Sequence, residues 1–403
     1  MRKRWLENKV IESLKTMRVT MLTGSRQCGK TTLADYMSAS GFEYRTLDEF
    51  PVLKSAHADP QEFIKHAGRT LVIDEIQRAP ELIVAIKRAV DKDTRCGQYL
   101  ITGSADIAAL PTVQESLAGR VEKVRLRPFA YGEILGNEPR FLKRLQRKEF
   151  CANKFFDKKR SLEIAFNGGF PEPLAKSPAA RRKWHRNYVD VLLEKDLRYV
   201  ANIKRQDILR QLFAVVCEFS ARYMDKAHIR SGLAVSRQTL DEYLNVLEKI
   251  YLLDRLRPWL KTGYDRVGKQ DKIFVTDTGL MSAVLDWKLK GLEFDGDKSG
   301  KLLETFVYNQ LAAQVDLVTD AALYHYRDNR QREIDFIIEH RGRLTGIEVK
   351  ASSSVSAGDF KHLRWFRDNI GGAKFYGLVL YTGEQTLPFG RNLRAVPLNN
   401  LWE

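Results

Sequence analysis

The sequence predicts an α/β fold for its first third, with parallel strands covered on both faces, and three observations carry that prediction. Short apolar runs alternate with helical stretches over residues 19–125. The first run leads into a loop of the pattern Gly-x-x-x-x-Gly-Lys-Thr. A later run ends in two adjacent carboxylates, Asp74 and Glu75.

The runs cover residues 19–23, 44–47, 70–74, 99–102 and 121–126. Near-continuous apolar runs of this length suit central strands with no solvent face. Their alternation with helices implies right-handed crossovers. Between the first run and the first helix stands Gly24-Ser25-Arg26-Gln27-Cys28-Gly29-Lys30-Thr31, followed by Thr32. Glycines let such a backbone curl until several N–H groups face one phosphate, and the next helix adds its positive end. Lys30 then reaches the β- and γ-phosphates of ATP, and the Thr31 hydroxyl ligates magnesium. Asp74, at the carboxyl edge of the sheet, holds the metal directly or through water, and Glu75 orients or deprotonates the attacking water. Arg120 neutralises transition-state charge, in cis or from a neighbouring subunit, or is a surface arginine. Cys28 is a small filler in the loop or an oxidation liability.

The chain of 403 residues is long enough for two or three domains. No run of about eighteen apolar residues occurs, so no membrane span is expected, and the basic start Met1-Arg2-Lys3-Arg4 lacks the apolar segment of a signal peptide. Cys28, Cys96, Cys151 and Cys217 are scattered, which fits a reducing cytosol better than a disulfide framework. Lys and Arg outnumber Asp and Glu by 67 to 51, a net charge of +16, and the natural partner of such a surface is a polyanion, DNA first. Basic residues crowd residues 140–186, as a linker leading into helices whose basic face is either solvated or a nucleic-acid contact.

Residues 185–290 read as mostly helical. Within them Ser236 is a helix N-cap, and Leu240, Leu244, Leu247 and Tyr251 form one apolar stripe. With the helix predicted before it, this is a helix-turn-helix, the core of a winged-helix candidate. Arg237, Gln238 and Asn245 suit base edges, whereas Asp241 and Glu242 repel phosphates, so DNA reading and protein docking both stand.

Residues 300–385 return to mixed α and β. Glu304 lies on an apolar helical stripe and needs a partner there. Two strands around Asp335 and Glu348 form a hairpin that sets those carboxylates opposite one another, with Lys350 on the face of Glu348. A divalent cation between the carboxylates removes the like-charge penalty, with Glu304, Asp335 and Glu348 as ligands. Lys350 then holds a nucleophilic water or stabilises developing charge.

These segments, with Ile73-Asp74-Glu75-Ile76-Gln77, Leu100-Ile101-Thr102-Gly103-Ser104, Ser116-Leu117-Ala118-Gly119-Arg120, Arg127-Pro128-Phe129, Gly168-Gly169-Phe170-Pro171-Glu172, Asp277-Thr278-Gly279-Leu280 and Ile347-Glu348-Val349-Lys350, resemble a family of bacterial and archaeal ATPases of the AAA+ superfamily. The resemblance spans nearly the whole chain and implies ATP binding with a nuclease-like C-terminal fold. It makes Ser104 the polar side chain of a sensor strand, touching the γ-phosphate or the water; a simple turn is the other reading. The helical Glu, strand Asp and Glu-x-Lys resemble the restriction-endonuclease-like core, which implies magnesium-dependent phosphodiester hydrolysis by Asp335, Glu348 and Lys350, or a related fold without activity.

The expected organisation is therefore an ATPase domain (1–140), a basic segment (141–185), a helical region with the winged-helix candidate (186–295) and an endonuclease-like α/β domain (296–403). The expected function is ATP hydrolysis coupled to DNA in a cytoplasmic protein, for which a homo-oligomer is one expected arrangement. The alternative is a nucleotide-controlled switch whose last domain binds without cutting.

Overall fold

In the computed structural model, which describes residues 2–38, 41–103, 117–150, 156–195, 205–260 and 270–403, the predicted apolar runs form one parallel sheet. Its strands are β1 (Val19–Thr23), β2 (Glu43–Thr46), β3 (Leu71–Asp74), β4 (Tyr99–Gly103) and β5 (Val121–Arg125), in the order β2-β3-β4-β1-β5. Every residue of β1, β3 and β4 is buried, which is why those runs lack alternation. Met21, Ile73 and Ile101 pack on one face with the helix Glu81–Lys92. Leu22, Val72 and Leu100 pack on the other with the helices Glu7–Thr16 and Lys30–Ser38. The order leaves β4 between β1 and β3, so that three strand ends meet at one edge.

The basic N-terminus is built into this unit. Arg4 is buried and donates to a Glu133 carboxylate oxygen at 3.0 Å, to the Cys28 carbonyl at 2.8 Å and to the Arg127 carbonyl at 2.6 Å. Its guanidinium also lies 4.3 Å from the centre of the Phe129 ring.

The middle of the chain carries the helices Lys158–Asn167, Pro178–Lys195, Gln206–Glu218, Lys226–Gly232 and Arg237–Lys249. It also carries a small antiparallel sheet of β6 (Arg222–Tyr223), β7 (Leu253–Leu256) and β8 (Lys272–Val275), in the order β6-β8-β7. Ser236 caps its helix as expected, accepting the Thr239 N–H at 3.0 Å, and Leu240, Leu244 and Leu247 are buried. Tyr251 differs from expectation: the helix stops at Lys249, and Tyr251 turns the chain at a φ of 60°.

The C-terminal sheet contains β9 (Ala321–Arg327), β10 (Glu333–His340), β11 (Arg343–Lys350), β12 (Phe375–Tyr381), β13 (Leu387–Pro388) and β14 (Leu393–Pro397), in the order β13-β14-β12-β11-β10-β9. β9, β10 and β11 pair antiparallel; β11, β12 and β14 pair parallel. The helix Gly296–Val315 covers one face, and its Leu303, Val307 and Leu311 join Phe336, Ile347 and Leu378 in a core that runs on to the middle helices at Leu212 and Leu247. A boundary near residue 295 therefore divides connectivity but not the core. Phe366, Phe375 and Val379 fill the opposite face.

One buried ion cluster joins all three units. Asp254 accepts from Arg125 at 2.8 Å, from Arg127 at 2.6 Å and from the Tyr308 hydroxyl at 2.8 Å, while Arg127 also reaches Asp316 at 2.6 Å. Burial alone would raise the Asp254 carboxyl, but the two guanidiniums outweigh it and hold the group well below the usual range. Such a cluster specifies an arrangement more than it stabilises one, because removing a single partner leaves a buried charge uncompensated. Among the described residues no helix is long and apolar enough to cross a membrane.

Candidate functional site

At the carboxyl edge of the first sheet, β1 runs into the glycine loop and the loop into the helix Lys30–Ser38. Gly24 has a φ of 145°, and a Cβ there would stand 2.1 Å from the Leu126 carbonyl oxygen, so the loop can turn at this point only without a side chain. Cys28 is fully buried and its thiol donates to the same carbonyl at 3.4 Å, which makes it a packing residue. Lys30 is 4 % exposed, and its ammonium donates to the loop's own carbonyls, Gly24 at 2.9 Å and Ser25 at 2.8 Å. Among the described residues, the hydroxyls of Thr23 and Ser25 are buried without a hydrogen-bond partner.

Asp74 ends β3 fully buried. Its carboxylate accepts from the Thr102 hydroxyl on β4 and from the Tyr44 hydroxyl at 3.1 Å. Burial and then the adjacent carboxylate push the Tyr44 phenol up, so it stays a donor. Glu75 follows at φ 58° and ψ 44°, a left-handed conformation that costs a non-glycine residue roughly 1 kcal/mol or more. Its N–H donates to Thr102 at 3.3 Å and its carboxylate accepts from Gln77. The turn brings Glu75 to the wall of the cavity that Lys30 and Thr31 also line.

That cavity, of about 610 Å³, has a roof from the middle of the chain: Pro171, Glu172, Trp184, Asn187 and Tyr188 line it opposite Arg26, Gly29 and Thr32. Trp184 and Tyr188, one helical turn apart, stack with centroids 5.1 Å apart and planes 11° from parallel. The Tyr188 hydroxyl donates to the Arg26 carbonyl at 3.0 Å, tying roof to loop. A hydrogen bond from Trp184 and then the neighbouring Lys176 hold the Glu172 carboxyl below its usual range. Gly168 and Gly169 bring this segment in. A Cβ on Gly169 would meet the Phe129 carbonyl oxygen at 2.2 Å, and the Gly169 N–H donates to Asp277 at 2.6 Å. A stacked aromatic pair opposite a glycine-turned loop and the start of a helix can hold a flat base at one end and phosphates at the other.

Arg120 stands apart. It precedes β5, whose Val121 pairs with Val19, so it lies at the amino edge of the sheet, bound to Asp91 and to the Ala118 carbonyl at 3.0 Å. It cannot reach the loop of its own chain. Ser104 lies outside the described residues.

The C-terminal residues do meet. The hairpin register pairs Phe336 with Ile347, and its continuation sets Asp335 opposite Glu348. One Asp335 oxygen accepts the Val349 N–H at 2.9 Å. Between the carboxylates stands Lys272 of β8, with its ammonium 2.6 Å from Glu304, 2.9 Å from Glu333 and 3.4 Å from Asp335. Lys350 lies 3.8 Å from Glu348 and 4.0 Å from Asp359. Burial and then the Asp335 charge push Glu304 and Glu348 upward. The surrounding carboxylates overcome burial to keep Lys272 a cation. His325 is buried, accepts or donates at the Tyr223 hydroxyl at 3.1 Å and is pushed down to about 3 by burial, while Arg327 lies 4.2 Å over the Tyr223 ring.

Sequence reasoning passed over Thr102, Tyr44, the aromatic roof and Lys272. Thr102 belongs to the strand end singled out for Ser104, and an aromatic pair at i and i+4 on a basic helix was visible. A lysine opening an apolar strand carries no such signal.

Residues 16–135 match the model of the family described as AAA domain. Residues 159–291 match a domain of unknown function, DUF8612, and residues 299–401 another, DUF4143. An uncharacterised protein of Mycobacterium tuberculosis is 28% identical over 385 residues, 95% of this chain and 80% of the relative. An uncharacterised protein of Haemophilus influenzae is 20% identical over 391 residues, 91% of this chain and 89% of the relative. The Walker-type ATPase of Pyrococcus abyssi is 13% identical, with a TM-score of 0.45 over 70% of this chain and 96% of that one. The first unit is thus an AAA-type P-loop domain and the last a DUF4143 domain.

Proposed function

We propose that the chain binds magnesium–ATP in the 610 Å³ cavity, hydrolyses it, and couples the cycle to DNA. One observation carries the nucleotide reading: the loop with Lys30, the acid pair Asp74-Glu75 and a stacked aromatic roof line or adjoin a single cavity. Phosphates would draw Lys30 away from the Gly24 and Ser25 carbonyls, and the amides of 27–32 would take the phosphate oxygens. The Thr23 and Ser25 hydroxyls, which have no partner among the described residues, fit oxygen-rich company. Thr31 and Asp74 are hard oxygen donors that suit magnesium, which when bound neutralises charge on the β- and γ-phosphates. Thr102 and Tyr44 fix the Asp74 carboxylate, and Glu75 in its left-handed turn orients or deprotonates the water. Arg120 would act, if at all, across a subunit interface.

The base would stack on Trp184. Replacing Trp184 with Ala is expected to raise the ATP Kd about fivefold, the worth of one ring stack, while inorganic triphosphate binds as before. Fluorescent-nucleotide titration measures both, and an unchanged ATP Kd would remove the aromatic roof from the proposal.

For DNA, support comes from the charge of +16 and from a groove of about 730 Å³ lined by Lys9, Arg140, Lys143, Arg144 and Arg147, with Glu12, Glu138 and Glu149 among them. The order helix, strand, helix, helix, strand, strand over residues 206–275 supports the winged-helix reading. There Asp241 is tied to Lys226 at 2.7 Å and Glu242 to Gln238 at 2.9 Å, which blunts their repulsion of phosphates. Changing Arg140, Lys143 and Arg147 together to Ala should lower the slope of log affinity against log salt for duplex DNA by about 2–3. A slope that does not move would rule out this groove.

For residues 296–403 we propose a restriction-endonuclease-like core, supported by the helix carrying Glu304 and the strands carrying Asp335, Glu348 and Lys350. The switch that binds without cutting is favoured by one specific contact, Lys272 among the carboxylates.

A further inference from the structure

We propose that the ammonium of Lys272 takes the place of a divalent cation among Glu304, Glu333 and Asp335, so that these carboxylates form an internal lock between the middle and C-terminal units and not a metal-dependent cleavage centre. The inference rests on the carboxylate grouping alone and holds whether or not the chain turns over ATP.

The geometry suits an ammonium. Lys272 is 1 % exposed and has three N–H donors, and three carboxylate oxygens lie 2.6, 2.9 and 3.4 Å from its nitrogen. They come from the helix Gly296–Val315 and from β10. The ammonium donates to Glu333 and Asp335 and pairs by charge with the buried Glu304, so that neither the lysine nor Glu304 is left as an isolated buried charge.

The donor set does not fit magnesium while the lysine is there. Magnesium needs about six oxygens near 2.0–2.1 Å and keeps several waters. A fixed positive nitrogen against the same oxygens repels a second cation and fills its space. Arg327, stacked on Tyr223 beside Lys272, adds further positive charge. Glu348, the remaining carboxylate of the expected centre, lies 3.8 Å from Lys350 and is also within reach of the Lys272 charge, so a second cation there would meet two ammoniums.

Nor is the position of Lys272 free to drift. On one side it pairs with Tyr223 of β6, on the other with Leu256 of β7. Just beyond β7 the chain is sewn to β9: the Trp259 N–H donates to the His325 carbonyl at 2.6 Å and the His325 N–H to the Arg257 carbonyl at 3.0 Å. The strand that delivers the lysine is thus fastened to the sheet that carries Asp335.

The test uses the full chain without nucleotide, Mn²⁺ alone as the probe, paramagnetic resonance to count bound ions, and supercoiled plasmid with Mn²⁺ to detect cutting. The wild type is expected to show neither a bound Mn²⁺ nor a cut that disappears in Asp335→Asn. Either of those would overturn the proposal. Lys272→Met is expected to gain one Mn²⁺ per chain, lost again in Lys272→Met combined with Asp335→Asn; a folded Lys272→Met that gains none overturns it. Should Lys272→Met unfold, pairing it with Glu304→Met should recover part of the lost melting temperature, whereas additive losses overturn the lock. ATP titration of the same preparations reads the nucleotide site separately.

Discussion

Lys30→Ala should raise the Kd for ATP about a hundredfold and abolish measurable turnover. The lysine's ammonium is held by two carbonyls of its loop, which phosphate oxygens outcompete. Hydrogen bonds from a charged donor to a charged acceptor are worth roughly 2–3 kcal/mol, which converts to about two decades of affinity. The folded chain should survive the change, because among the described residues the lysine's hydrogen bonds go to its own loop; a melting temperature near wild type would confirm that the loss is local. Tight ATP binding by the variant would end the assignment of this loop as the phosphate site.

Glu75→Gln should behave differently, keeping ATP affinity within a few-fold while slowing hydrolysis roughly 10²–10³-fold, in the range expected for loss of a general base. The amide retains the size of the side chain and can still meet Gln77, so the left-handed turn at 75 persists. What disappears is the ability to take a proton from water. Single-turnover hydrolysis measured beside equilibrium binding separates the two quantities. Equal turnover in variant and wild type would move the catalytic role elsewhere. Thr102 would be the next residue to examine, since it touches both Asp74 and the Glu75 amide.

The central strands β1, β3 and β4 were legible because burial on both faces leaves an unbroken apolar run, whereas the edge strands β2 and β5 are partly exposed and mix polar residues in. The loop was legible because the conformations at Gly24 and Gly29 demand glycine. The hairpin register at Asp335 and Glu348 was legible from its tight turn at Arg341-Gly342, where both residues have positive φ. What escaped depends on contacts far apart in sequence. Nothing near position 272 announces three carboxylates up to 63 residues away, and the aromatic roof becomes a roof only when Gly169 packs on Phe129. Across residue 295 the packing is continuous, because the long helix Gly296–Val315 is apolar on sides that face two neighbours at once.

The Arg125–Asp254–Arg127 cluster has a practical consequence. A fragment cut after the first unit would keep both arginines and lose Asp254, Tyr308 and Asp316 together. It would also strip the backbone of Tyr131, whose N–H now donates to Gln310 at 2.7 Å. The excised piece would present bare guanidiniums beside freshly exposed apolar surface, a recipe for sticking to nucleic acid and to itself. Binding seen with such a truncation would report on the scissors and not on the protein.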